Sequence, residues 1–170
     1  ERHGRRDVVT TADREAEELI RRRLAQAFPG QAILGEEGDR GASPRERGSS
    51  GPVWVVDPLD GTVNFVHGIP EVAVSIALYD GNTPVVATIV DVMRGDVFSA
   101  RAGGGARLNE SAISVSTIDD PTRSVISTGF PYVHHRHPAA YAATIAGMLE
   151  QVNGIRRCGS AALDLAWVAA

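Results

Sequence analysis

Between Thr10 and Phe28, the residues Ala12, Ala16, Leu19, Ile20, Leu24 and Ala27 recur at helical spacing with Arg and Glu between them. The spacing predicts an amphipathic helix, stopped by Pro29-Gly30. Gln31 to Leu34 reads as a short strand running into Gly35-Glu36-Glu37, and Gly38 to Pro52 has the Gly, Ser, Pro and mixed charge of a loop. Val53-Trp54-Val55-Val56 is wholly apolar and predicts a strand buried on both faces, ended by Asp57-Pro58 because proline cannot donate to a ladder.

Strands are expected at Val72 to Leu78, Pro84 to Val92 and Val97 to Ala100, parted by the turn signals Asp80-Gly81-Asn82 and Arg94-Gly95-Asp96. Successive hairpins imply an antiparallel sheet. After Asp119-Asp120-Pro121 the pattern becomes a strand at Ser124 to Ser127, a loop at Gly129-Phe130-Pro131, a helix over Ala139 to Val152, a strand near Ile155 and a helix from Ser160. This alternation predicts a second α/β unit, dividing the chain into residues 1–119 and 120–170. With no methionine at Glu1 and an apolar helical pattern still running at Ala170, both ends are expected to be cut.

The 170 residues, 43% hydrophobic and 22% charged, have globular composition and suffice for one sizeable core. No apolar run approaches the roughly 20 residues of a membrane span, so a cytoplasmic location and no membrane partner are expected. The formal net charge of −4 argues against nucleic acid as a partner. Every Lys or Arg position holds arginine, which with abundant Ala, Gly and Val suggests a high-GC bacterial coding bias. The lone Cys158 reads as a small buried hydrophobe, and Trp54 and Trp167 as core.

Candidate chemistry lies in the acids Asp13, Glu36, Asp57 and Asp60. If the fold gathers them, their repulsion needs cations, and hard oxygen ligands without His or Cys select Mg²⁺, Mn²⁺ or Ca²⁺. Asp57 and Asp60, three apart across Pro58, can aim both carboxylates and the Leu59 carbonyl into one small volume. Thr62-Val63-Asn64-Phe65 can open a short helix whose free N–H groups suit an anion, and Gly61 permits close backbone approach. Each piece also has a plain reading. Asp-Gly is a common turn, Thr10-x-x-Asp13 fits a capping box, and Glu36-Glu37 suits a solvated charge pair. His134-His135-Arg136-His137 reads as solvated surface, Arg94-Gly95-Asp96 as a hairpin turn, and Gly103 to Gly105 lacks the Lys-Ser or Lys-Thr of a phosphate loop.

Asp7-Val8-Val9-Thr10-Thr11-Ala12-Asp13, Ile33-Leu34-Gly35-Glu36-Glu37 and Trp54-Val55-Val56-Asp57-Pro58-Leu59-Asp60-Gly61-Thr62-Val63-Asn64-Phe65-Val66-His67-Gly68 together resemble the signatures of the inositol monophosphatase family. The resemblance continues through Val74-Ser75-Ile76, Gly103 to Ala106, Asn109, Gly129-Phe130-Pro131-Tyr132 and Gly159-Ser160-Ala161-Ala162. It implies an α+β, layered αβαβα sugar-phosphatase fold, whose antiparallel-sheet domain at residues 1–119 binds metal and phosphate and whose α/β substrate domain begins at residue 120 and is incomplete.

The resemblance further implies a Mg²⁺-dependent phosphomonoesterase acting on a small polyol phosphate, nearest to inositol 1-phosphate, with two or three Mg²⁺ ions, lithium inhibition and a homodimer. Glu36, Asp57 and the Leu59 carbonyl would hold one ion, and Asp57 and Asp60 another. Asp13 and Thr62 would orient and deprotonate the attacking water, Gly61 and Thr62 would hold the phosphate through backbone N–H groups, and Asp60, Gly159, Ser160 and Ala161 would meet the substrate. Glu37 would support the loop. Attack on phosphorus would be in line, without a phosphoenzyme. Val63 stands where many members have a second Thr, and the Trp-Asp motif that completes a metal site in the family is absent from these residues. Histidinol phosphate and fructose 1,6-bisphosphate are the alternative substrates, and a non-catalytic metal-binding or regulatory homologue is the alternative class.

Overall fold

A computed structural model of the chain describes residues 10–36, 51–130 and 136–170. The expectations for Asp7 to Val9, Glu37, the loop at 38–50, Pro131-Tyr132 and His134-His135 fall outside the described residues.

Helix α1 (Thr11–Ala27) begins on a reciprocal capping box: the Thr10 N–H donates to Asp13 Oδ2 at 2.8 Å and the Asp13 N–H donates to Thr10 Oγ1 at 3.4 Å. The face it buries differs from the expected apolar stripe. Asp13 and Glu17 are its buried residues, whereas Leu19 is 45% exposed. Glu17 tolerates burial because it is paired: Arg21 Nε lies 2.7 Å from its carboxylate, and the same guanidinium donates to the Ile33 carbonyl at 3.0 Å. Gly35 makes the room, since a Cβ there would collide with the Glu17 carboxylate.

Strands β1 (Ala32–Gly35) and β2 (Val53–Asp60) are followed by α2 (Thr62–Val66), β3 (Ala73–Asp80), β4 (Thr83–Asp91), β5 (Val97–Arg101), β6 (Gly105–Leu108) and β7 (Ser111–Ile113). The strands form one seven-stranded sheet in chain order. It is antiparallel, as the hairpin signals implied, except that β1 runs parallel to β2 at one edge. Strands β6 and β7 were not anticipated. They have four and three residues, too few for alternation to register, and they turn at Asn109, whose φ is 54°.

Pro58 does not end its strand, contrary to the expectation. Asp57 pairs with Ser75 and Asp60 with Ala73, so Pro58 and Leu59 together face Val74 in a bulge. The missing proline donor falls where the ladder is already interrupted, and β1 stops opposite Val56. The bulge carries the strand onward while re-aiming its acids.

Beyond residue 120 come β8 (Val125–Ser127), α3 (Pro138–Leu149), β9 (Gly154–Arg156) and α4 (Ala161–Val168). Strands β8 and β9 pair in parallel, and α4 packs on β3 and β4. Helix α3 ends at Leu149, short of the expected Val152, in a turn closed by the Gln151 and Val152 N–H groups donating to the Met148 carbonyl.

The core gathers Leu34, Val53, Trp54, Val56, Leu59, Ala73, Phe98, Leu163 and Ala166. Trp54 is buried as expected, its indole N–H donating to Gln31 Oε1 at 2.7 Å and its rings 5.0 Å from Phe28. Trp167 departs from expectation at 45% exposed, packing edge-on against Phe98 while its remaining surface stays open. Cys158 is half-buried, and burial raises its thiol pKa, which lowers the share of the nucleophilic thiolate.

Candidate active site

The β2 bulge delivers Asp57, the Leu59 carbonyl and Asp60 to one end of the sheet, with Gly61 turning the chain directly into α2. Gly61 has φ +98°, and a Cβ would lie 2.6 Å from the Glu71 carbonyl oxygen. Only glycine fits both conditions.

From the other side α1 brings Asp13. Thr62 Oγ1 lies 3.1 Å from Asp13 Oδ1 and 3.1 Å from the Leu59 carbonyl oxygen, so its single proton goes to one of them at a time. The capping-box reading of Asp13 and its functional reading are therefore compatible: Oδ2 caps α1 and Oδ1 faces Thr62.

Asp57 Oδ1 accepts the Leu59 N–H at 3.1 Å. Burial and the neighbouring Asp60 charge raise its pKa from 3.8 to about 6, with Asp13 adding to the rise, against opposing hydrogen bonds from Leu59 and Glu36. Asp57 thus senses Asp60, Glu36 and Asp13. The donor set is oxygen only and crowded with negative charge, the chemistry that suits a hard divalent cation. Among the described residues no three Asp, Glu, His or Cys side chains yet converge in a formed ion cage.

Asp60 has a second attachment. Its Oδ2 accepts from Ser160 Oγ at 2.6 Å and from the Ala162 N–H at 2.6 Å, while Ser160 Oγ accepts from the Leu163 N–H at 3.3 Å. Ser160 is the N-cap of α4 and is fully buried, so its hydroxyl serves the helix start.

Asp60, Gly61, Thr62, Gly159, Ser160 and Ala161 all line one cleft of about 230 Å³. Asp13, Glu36, Asp57 and Leu59 are not among its lining residues. Asn64, Thr128, Arg157 and Asp164 also line it and were not singled out from the sequence. Asn64 sits inside a motif that was quoted, and its signal was a polar residue in the first turn of a short helix otherwise flanked by apolar neighbours.

An acid-bearing bulge beside a helix start, on a mixed α+β scaffold, sets Asp60, Gly61 and Thr62 along the wall of a small cleft. The chain matches the inositol monophosphatase family over residues 1–170, and it belongs to that family. It is 45% identical over 168 residues to an inositol-1-monophosphatase of Mycobacterium leprae, covering 96% of this chain and 57% of the relative. It is 38% identical over 167 residues to a protein named Nus factor SuhB from Vibrio cholerae, covering 98% of this chain and 61% of the relative. Among solved structures, the extragenic suppressor protein suhB from Bartonella henselae aligns with TM-score 0.89 at 39% identity, covering 100% of this chain and 65% of that one. An inositol monophosphatase from Anabaena aligns with TM-score 0.85 at 36% identity, covering 94% and 62%. The chain spans 57% to 61% of the length of the curated relatives it matches here. No helix among the described residues is long and apolar enough to cross a membrane.

Proposed function

We propose that the protein is a Mg²⁺-dependent phosphomonoesterase of a small polyol phosphate, with inositol 1-phosphate as the preferred substrate. One observation carries the reading: the Thr62 hydroxyl lies 3.1 Å from the Asp13 carboxylate at the edge of the cleft, next to the mutually repelling Asp57 and Asp60.

Asp13, through Thr62, takes a proton from the attacking water as its oxygen bonds to phosphorus. The ester oxygen departs with the bonding pair and takes a proton from solvent water to become the free alcohol, and Asp13 releases its proton to solvent. The Gly61 and Thr62 N–H groups hold the phosphate, and Gly159 to Ala161 bound the alcohol side of the cleft. Mg²⁺ held by Glu36, Asp57, the Leu59 carbonyl and Asp60 would supply the positive charge that makes the water more acidic and balances the leaving oxygen. Inhibition by lithium, a homodimer and a cytoplasmic location belong to the same proposal.

Phosphate release with and without Mg²⁺, on inositol 1-phosphate, histidinol phosphate and fructose 1,6-bisphosphate, tests it. Mg²⁺-dependent release greatest on inositol 1-phosphate is expected, and a flat response on all three would overturn it. The relatives named Nus factor SuhB, at 38% and 41% identity, motivate a second reading as a binding or regulatory protein on the same scaffold. Mg²⁺ binding by calorimetry without turnover would favour that reading.

A further inference from the structure

The cleft has two walls from distant parts of the chain, Gly61 to Asn64 on one side and Gly159 to Ala161, directly after Cys158, on the other. Asn64 joins them. The residue is 5% exposed, and its Nδ2 donates to the Glu71 carbonyl at 2.9 Å and to the Cys158 carbonyl at 2.9 Å. Both amide protons are therefore used, and both acceptors are backbone, so no rotation of a partner side chain can substitute for them.

Gly159 fits around this amide. Its φ is +93°, and a Cβ there would lie 2.9 Å from Asn64 Nδ2 and 3.1 Å from its Oδ1. The Glu71 end is braced in turn. Arg94 bridges the Glu71 carboxylate at 2.6 Å and the fully buried Asp91 at 2.6 Å, while the Glu71 carbonyl also forms the wall against which Gly61 is packed.

We infer that Asn64 is a positioning residue that fixes the spacing between the phosphate-side wall and the alcohol-side wall of the cleft. This rests on the phosphomonoesterase reading and deepens it: Asn64 touches no reacting atom, and it governs how tightly the alcohol part of a phosphate ester is held. The Asp60 carboxylate makes a further link between the walls, at the start of α4. With Asn64 removed, α4 stays tethered there while the Cys158-Gly159 segment loosens.

The test compares Asn64→Ala, Gly159→Ala and the double variant with the parent chain. Loss of these hydrogen bonds is expected to raise KM for inositol 1-phosphate roughly three- to tenfold, with kcat changed less and inhibition by inorganic phosphate unchanged. Gly159→Ala is expected to raise KM likewise, and the double variant to fall short of the product of the two effects because both act on one contact. Hydrogen exchange supplies a readout independent of turnover. The Cys158 and Gly159 amides should exchange about tenfold faster in Asn64→Ala, with the α1 amides unchanged. Asn64→Ser, which keeps one short donor, should be intermediate and serves where the alanine variant does not fold. Unchanged KM and unchanged exchange would overturn the inference. Faster exchange in Asn64→Ala, from a parent that itself releases no phosphate, would overturn the phosphatase reading while leaving the wall-spacing role standing.

Discussion

Thr62 and Asp13 meet across 49 positions of sequence, the threonine hydroxyl 3.1 Å from a carboxylate oxygen whose twin closes the first turn of α1. On the proposed function one side chain serves stability and chemistry through different atoms, and the two roles separate by mutation. Thr10→Ala is expected to cost about 1 kcal/mol of stability with turnover retained. Thr62→Val should fold normally and lose roughly 10²- to 10⁴-fold in turnover, with Thr62→Ser largely restored. Thermal melts and kcat on the same samples check both.

Asp57 has its pKa raised to about 6 by burial and by Asp60, so in its proposed role as a Mg²⁺ ligand the cation competes with a proton. Mg²⁺ affinity should rise with pH up to about 6 and level off above it. Calorimetry in buffers of different ionisation enthalpy should register proton release near that pH and almost none about two units higher. In the metal-free protein the sign is that of a raised carboxyl. The folded state holds the proton more tightly than the unfolded one, so stability falls as pH climbs from about 4 to about 6 and recovers on acidification.

Asp91 behaves oppositely. Burial would raise it, but hydrogen bonds from the Arg94 side chain and N–H, the Arg94 charge and the Met93 N–H hold it below the ordinary 3.8. Its contribution to stability is complete above the ordinary carboxylate range and is lost as pH falls through its lowered value. Asp91→Asn should flatten the acid limb of a pH-dependent denaturation profile, measured by urea midpoints.

Gly61→Ala combines a left-handed φ of +98° with a contact of 2.6 Å to the Glu71 carbonyl. A loss of about 1–3 kcal/mol from backbone strain is expected, with weakened inhibition by inorganic phosphate. Gly30→Ala, at φ +85° but with nothing within 4 Å, separates strain from collision.

The sequence exposed the features governed by local rules. Val53 to Val56 announced a buried strand, the glycine turns announced hairpins, and Ser160 announced a helix start. The acids that interact around Asp57 were legible too, as were the Gly61 and Gly159 segments that share the cleft. What escaped depends on partners far away. Asp13 and Glu17 face inward because of Thr62, Arg21 and the space over Gly35, which no helical periodicity records. Pro58 continues a strand because the ladder skips it, a matter of register with β3. Asn64 gained its place from the Cys158 carbonyl, 94 positions on.

That long reach bears on how the molecule is made. Asp60 emerges early in synthesis, yet its Oδ2 finds its donors at Ser160 and Ala162, 100 and 102 positions later. Until those residues have been made, the Asp60 carboxylate lacks both of these donors. The cleft therefore needs contacts between segments about a hundred positions apart, whereas the antiparallel part of the sheet needs only neighbouring hairpins.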